Sequence, residues 1–258
     1  MNIYVSQFIL YLLIVVRITS LLAVAPIFGH ESVPAQLKIA LGLFLALAFY
    51  PVASKDFNVI ALSDFQLLGF ALLVIKEVLV GILLGFAVSI IFYAALMAGE
   101  IIGFNMGLGF SQFFNPMVGQ STSFMGNFFY LIALLIFLLI NGHHFLLQAL
   151  QSSYSTVPVG GFSVNEFTYE EIIKLSRTLF IVGVKISAPA LVALFLSNVV
   201  LGILSRVVPQ MNVFIVGFPL QIGVGVVVLL IVSPLMVFVF KKLLLDFEES
   251  FLELVKVI

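Results

Sequence analysis

From residue 65 to residue 99 the chain carries only two charged side chains, Lys76 and Glu77. As a helix rising about 1.5 Å per residue, such a run is roughly 50 Å long, well beyond the ~30 Å hydrocarbon core of a bilayer. Five more apolar stretches accompany it, at 8–25, 36–50, 123–140, 172–204 and 213–240. With 63% hydrophobic and 9% charged residues, a chain of 258 residues has too few charges to cover a water-facing surface. Lipid and other helices must be its main solvent, and an all-α integral membrane protein of about six long, kinked helices in a single membrane-embedded domain, 1–258, is expected. The stretch 36–50 is too short to cross, and 65–99 and 172–204 are over-long.

Proline adds to the irregularity. Pro189 interrupts the fifth stretch and Pro219 and Pro234 the sixth, each removing an amide donor, so kinked or broken helices are expected there. In lipid, such breaks survive only where protein or a watery cavity satisfies the freed backbone, so partners should wrap the chain. With both termini cytoplasmic, Lys55, Lys174, Arg177, Lys241, Lys242 and Lys256 fall inside, and only Lys38 and Arg206 outside. Arg17, the first basic residue, lies within the first apolar run. That order does not suit a cleavable leader, and the run reads as a retained helix.

The formal net charge of -1 offers nucleic acid no basic field, so no nucleic-acid partner is expected. Without cysteine there is no thiolate nucleophile and no zinc–thiolate site. His143 and His144 diverge on a helix and have no carboxylate nearby in sequence, so they read as a helix-end feature. No nucleophile–base pair, metal motif or phosphate loop is visible. The expectation is a protein that is not an enzyme and needs no cofactor.

Five ionisable residues inside apolar runs demand partners: Arg17, Lys76, Glu77, Glu100 and Lys185. Lys76 and Glu77 diverge by about 100° on a helix, so each needs its own partner. Lys185 is expected to pair with Glu77 or Glu100. Small residues recur at helical spacing as Gly81, Gly85 and Ser89, then Gly99, Gly103 and Gly107, which lets another helix approach closely, either within the chain or from another subunit. The central break, 103–120, has no charged residue and is rich in Gly and Phe. It is either a buried packing loop or a hydrophobic constriction that gates by excluding water and ions. A small secondary transporter is the alternative reading, since broken helices with buried charges also describe a substrate site.

Short elements in a fixed order carry a resemblance across essentially the whole chain. They are Arg17 with Ala25-Pro26-Ile27-Phe28-Gly29 and Val33-Pro34; Lys76-Glu77 with Gly81 and Gly85; Ala98-Gly99-Glu100-Ile101-Ile102-Gly103; and Asn115-Pro116. Asn141-Gly142-His143-His144 and Leu201-Gly202-Ile203-Leu204-Ser205-Arg206 follow, the latter running into Pro209-Gln210-Met211-Asn212-Val213-Phe214. The chain resembles the FliR family of flagellar biosynthesis proteins and, more distantly, their counterparts in the virulence-associated type III secretion export apparatus. Asn198 departs from that pattern, where an acid is expected.

The resemblance implies a core subunit of the flagellar type III export gate, in the bacterial inner membrane at the flagellar basal body. Its partners would be FliP and FliQ, with FlhA and FlhB alongside, and unfolded flagellar subunits would pass through. It also implies helical hairpins wound into a tapered helical assembly, much of it above the plane of the membrane. By the same resemblance the central break corresponds to a pore plug, with Phe110, Phe113 and Phe114 as gate residues and Met106 and Met117 flanking them.

Overall fold

A backbone immersed in lipid must satisfy its own N–H and C=O groups, and the helix does this within one segment. The computed structural model describes residues 3–30, 32–54, 67–108, 123–163, 166–210 and 212–255. Every element among them is an α-helix: α1 (Ile3–Val24), α2 (Ala35–Ala53), α3 (Leu67–Asn105), α4 (Phe124–Leu139), α5 (Gly142–Thr156), α6 (Glu166–Val207) and α7 (Val213–Val255). Four of these are long and apolar enough to cross a membrane, or five if α4 and α5 form one broken span. The chain is an integral membrane protein.

Three features depart from the sequence expectation. The second stretch continues through Pro51 to Ala53, giving a helix of 19 residues that meets the length of a span. Pro51 sits in its last turn, and the amide of Ser54 still reaches the Tyr50 carbonyl at 3.0 Å. Pro189, Pro219 and Pro234 break nothing: α6 runs unbroken for 42 residues and α7 for 43. The interruption falls instead at Ile140–Asn141, where Asn141 takes a left-handed backbone (φ 60°), a conformation its short polar side chain tolerates. The helix that follows, α5, is not one of the apolar stretches, because His144, Gln148, Gln151 and Ser155 face outward beside Leu147. Its buried positions, Phe145, Leu146, Ala149, Leu150, Ser153 and Tyr154, nevertheless recur with helical period.

The chain divides into two compact units. The first comprises Met1–Ile90, Asn141–Ser176 and Leu245–Ile258. Here α1 and α2 form a hairpin closed by a turn at Ala25–His30, in which the amide of Gly29 bonds the Ala25 carbonyl at 2.7 Å. The hairpin is seated by Thr19 against Gly42 and by the Tyr11 hydroxyl, which donates to the Leu43 carbonyl at 3.0 Å. Leu13, Ile14, Ile18, Leu84 and Ala87 form its core. The second unit comprises Ile91–Ile140 and Arg177–Leu244. Its interior contains Phe92 edge-on to Phe137 at 5.3 Å, with Ala95, Ala98, Ile102, Phe129, Ala133 and Leu194.

The outward faces are as apolar as the cores. Phe44, Leu68, Leu139, Phe195, Leu230 and Ile231 are each more than 60% exposed. A soluble monomer rarely exposes large contiguous apolar patches, so these faces meet lipid or other helices.

Candidate functional site

Arg17 stands in the middle of α1, where nothing local can satisfy a guanidinium, and three other segments converge on it within the first unit. Nε donates to Glu77 Oε2 at 2.6 Å and Nη2 to Glu77 Oε1 at 3.1 Å, a bidentate pair with both side chains fully buried. Nη1 donates to the carbonyls of Ser153 (3.3 Å) and Val157 (3.1 Å) and to Ser153 Oγ (3.4 Å) at the end of α5. The guanidinium carbon lies 4.5 Å from the centre of the Tyr154 ring. Each guanidinium nitrogen therefore has an acceptor, and the ring face supplies further negative potential. A charge buried in so apolar a place persists only when it is paired and hydrogen-bonded to this degree.

Glu77 and Lys76, which cannot satisfy each other, meet at one peptide. The Gly160 amide donates to Glu77 Oε1 at 2.8 Å, and Lys76 Nζ donates to the Gly160 carbonyl at 3.2 Å. The turn after α5 must present both groups of this residue to α3. It does so with Gly160 at φ +79°, where an added Cβ would also come within 2.6 Å of Leu73 Cδ2. The expected Lys185–Glu77 pair is therefore corrected: Arg17 and Gly160 occupy that carboxylate. Sequence reasoning identified Arg17, Lys76 and Glu77 but missed Ser153, Tyr154, Val157 and Gly160. The Pro158-Val159-Gly160-Gly161 turn signal directly after an amphipathic run was the available clue.

The small residues fill from different neighbours, and Gly107, expected to continue the helical series, lies in the turn past the end of α3 at φ +78°. In the first unit a Cβ at Gly81 would collide with Ser20 Oγ and the Arg17 carbonyl, and one at Gly85 would lie 2.8 Å from Val24 Cβ. One turn on, the Ser89 hydroxyl donates to the Val24 carbonyl at 2.9 Å, so α1 lies in this groove. In the second unit Gly99 abuts the Met125 carbonyl, and a Cβ at Gly103 would come within 3.0 Å of Met125 Cβ, which seats the start of α4. A Cβ at Gly107 would reach Phe218 Cδ1 of α7 at 2.7 Å.

Of the gate candidates, Phe110, Phe113, Phe114 and Met117 lie outside the described residues. Met106 is buried, packed over Gly225 of α7, where an added Cβ would fall 2.6 Å from its side chain. Glu100 and Lys185 are exposed on the surface of the chain and form no ion pair with each other. Asn198 pairs with Gln221 across α6 and α7, and Arg206 is exposed at the end of α6. The His143 and His144 rings lie 4.3 Å apart at the start of α5, and His143 Nδ1 is buried without a hydrogen-bond partner among the described residues.

Residues 8–247 match the family described as bacterial export proteins, family 1. The chain is 35% identical to the flagellar biosynthetic protein FliR of Bacillus subtilis (strain 168), over 90% of this chain and 88% of that one. It is 34% identical to the flagellar biosynthetic protein FliR of Escherichia coli (strain K12), over 88% and 85% of the two chains. Against the protein of the same name from Aquifex aeolicus (strain VF5) the identity is 33%, over 91% and 89%.

Proposed function

The chain belongs to the bacterial export proteins, family 1, and on that premise we propose that it is a core subunit of the flagellar type III protein export gate. In this reading it joins FliP and FliQ to enclose a gated pore in the inner membrane at the flagellar basal body, with FlhA and FlhB alongside. Unfolded flagellar subunits cross through that pore. The observation that carries the reading is the near end-to-end match, at about one third identity, to proteins named for flagellar biosynthesis. The physical character of the chain supports it. Helices of 42 and 43 residues are about twice the span of a bilayer, and their exposed faces are apolar along much of their length, which suits a subunit enclosed by others.

The role of this chain is to line and close a passage, and the driving energy comes from other components. The uncharged 103–120 segment is the closing element, with Phe110, Phe113, Phe114 and Met117 excluding water and ions and yielding without any salt bridge to break. Membrane extraction of the tagged chain followed by native mass measurement tests the assembly. A defined complex containing FliP and FliQ is expected, and an isolated stable monomer would overturn the proposal. Shortening 109–118 should raise ion permeability of the assembled gate; an unchanged leak would remove the plug role.

A further inference from the structure

Within the second unit, α4 and α7 leave a slot of about 280 Å³ between them. Phe129 and Phe240 are buried on its inner side, and Phe124, Phe128, Leu230 and Val237 stand exposed along its rim, so it opens sideways. The hydroxyl in its wall, that of Ser233, is turned back to donate to the Leu230 carbonyl at 3.1 Å. A slot lined in this way offers no hydrogen bond and suits hydrocarbon. Apolar cavities of about 150 Å³ already hold a benzene ring.

Along α7 the lining runs from Val226 to Phe240, about 21 Å at a rise of about 1.5 Å per residue. That is a little more than one leaflet's share, about 15 Å, of a ~30 Å hydrocarbon core. One end of the slot is charged. Helix α7 carries no Asp, Glu, Lys or Arg before Lys241, which therefore marks the level where the helix leaves the hydrocarbon. Val226, Leu230, Ser233 and Val237 recur at spacings of three and four, and Lys241 takes the next place on that stripe.

Helical side chains lean toward the N-terminus, so the stem of Lys241 lies back over the turn of Val237, while Lys242 diverges by about 100°. Lys241 is exposed and in no ion pair among the described residues. The positions three and four residues to either side of it, Val237, Phe238, Leu244 and Leu245, offer it no carboxylate.

We propose that the α4–α7 slot is a binding site for an anionic phospholipid, with one acyl chain lying between the helices and the phosphate at Lys241. Charge complementarity selects this occupant over a zwitterionic lipid with the same chains, whose own cation offsets the attraction. Width selects it over a partner helix, which at about 10 Å across lies over the rim without filling the slot. The site requires only that the chain sits in a bilayer, so it stands apart from the export-gate reading.

The experiment uses photoactivatable phosphatidylglycerol and phosphatidylcholine with the same diazirine-bearing acyl chains, each supplied separately to membranes that hold the tagged full-length chain. After irradiation the chain is purified and its lipid adducts are mapped by peptide mass. Adducts on other exposed apolar faces, such as that of Phe44 on α2, measure lipid that is merely adjacent. At 124–132 and 226–240 the preference for phosphatidylglycerol should exceed that of the other faces about fivefold, the worth of one lysine beside an anionic headgroup. Lys241→Gln should bring the preference down to that of the other faces, and Lys241→Arg should keep it. Ser233→Phe, which puts a ring into the slot, should remove the slot adducts of both lipids while the others persist.

Equal preference at the slot and elsewhere, or a preference that survives Lys241→Gln, would overturn the proposal. Slot peptides that stay unlabelled while other faces are labelled would mean that another polypeptide covers the slot, and would overturn it as well. The ratios are read within one chain, so a variant present in smaller amounts still decides. None of these results bears on the export-gate reading, which the composition of the extracted complex tests.

Discussion

The two halves of α3 carry the same small-residue device and a glutamate each, yet they treat charge in opposite ways. In the first, Glu77 is sealed in a bidentate pair with Arg17 and capped by the Gly160 amide, so the chain neutralises its own charge. In the second, Glu100 stands exposed beside a packed glycine groove, and Lys185 of α6 is likewise exposed, neither in an ion pair among the described residues. Glycine notches fix where helices touch, but they leave open whether a charge is settled inside the chain or offered to another. What settles it is whether a turn such as 157–161 returns to supply backbone partners.

The largest test of this contrast is to strip the sealed charge of its partner. Arg17→Met leaves Glu77 buried and unpaired and should destabilise the chain by about 3–5 kcal/mol, seen as loss of the protein from membranes and a collapse of its melting temperature in detergent. Arg17→Met combined with Glu77→Leu should recover much of that loss, because no bare charge remains. Lys185→Met should leave the melting of the monomer within about 0.5 kcal/mol of the unmodified chain. Equal losses at Arg17 and Lys185 would erase the distinction between the two regions.

A middle-sized effect separates filled notches from open ones. Gly81→Ala and Gly99→Ala each force a Cβ into backbone or hydroxyl atoms and should cost about 1–3 kcal/mol by thermal unfolding. Gly202→Ala and Gly223→Ala meet nothing within 4 Å and should be neutral or stabilising by up to about 1 kcal/mol, from helix propensity. If Gly202→Ala keeps its stability but abolishes motility, the open glycine is a contact surface for another subunit.

The smallest effect lies in the ring beside the pair. Tyr154→Phe keeps the face over Arg17 and gives up only a 3.5 Å bond from the hydroxyl to the Ile14 carbonyl, so a loss below about 1 kcal/mol is expected in the same melting assay. Tyr154→Leu should cost more than Tyr154→Phe. The reverse order would mean that the hydroxyl, rather than the ring, supports the guanidinium.

Much of this was legible in the residues alone. Apolar runs announced helices in lipid, and Arg17 and Glu77 stood out because charge among apolar neighbours needs an explanation. The prolines end neither helix, because a missing amide donor weakens a helix without obliging it to stop, and α6 and α7 continue past them. Helix α5 escaped notice because its polar outer face dilutes mean hydropathy, although its buried positions keep a helical period.

The sequence by itself determined the solvent, the helical class, the family and the list of charges that needed settling, since each follows from composition, local periodicity or ordered motifs. Only the tertiary structure decided which charge meets which. Arg17 and Glu77 are 60 residues apart and Arg17 and Val157 are 140 apart, and no local rule links positions so distant. Ion pairing depends on distances of a few ångströms, and those are set by how helices cross.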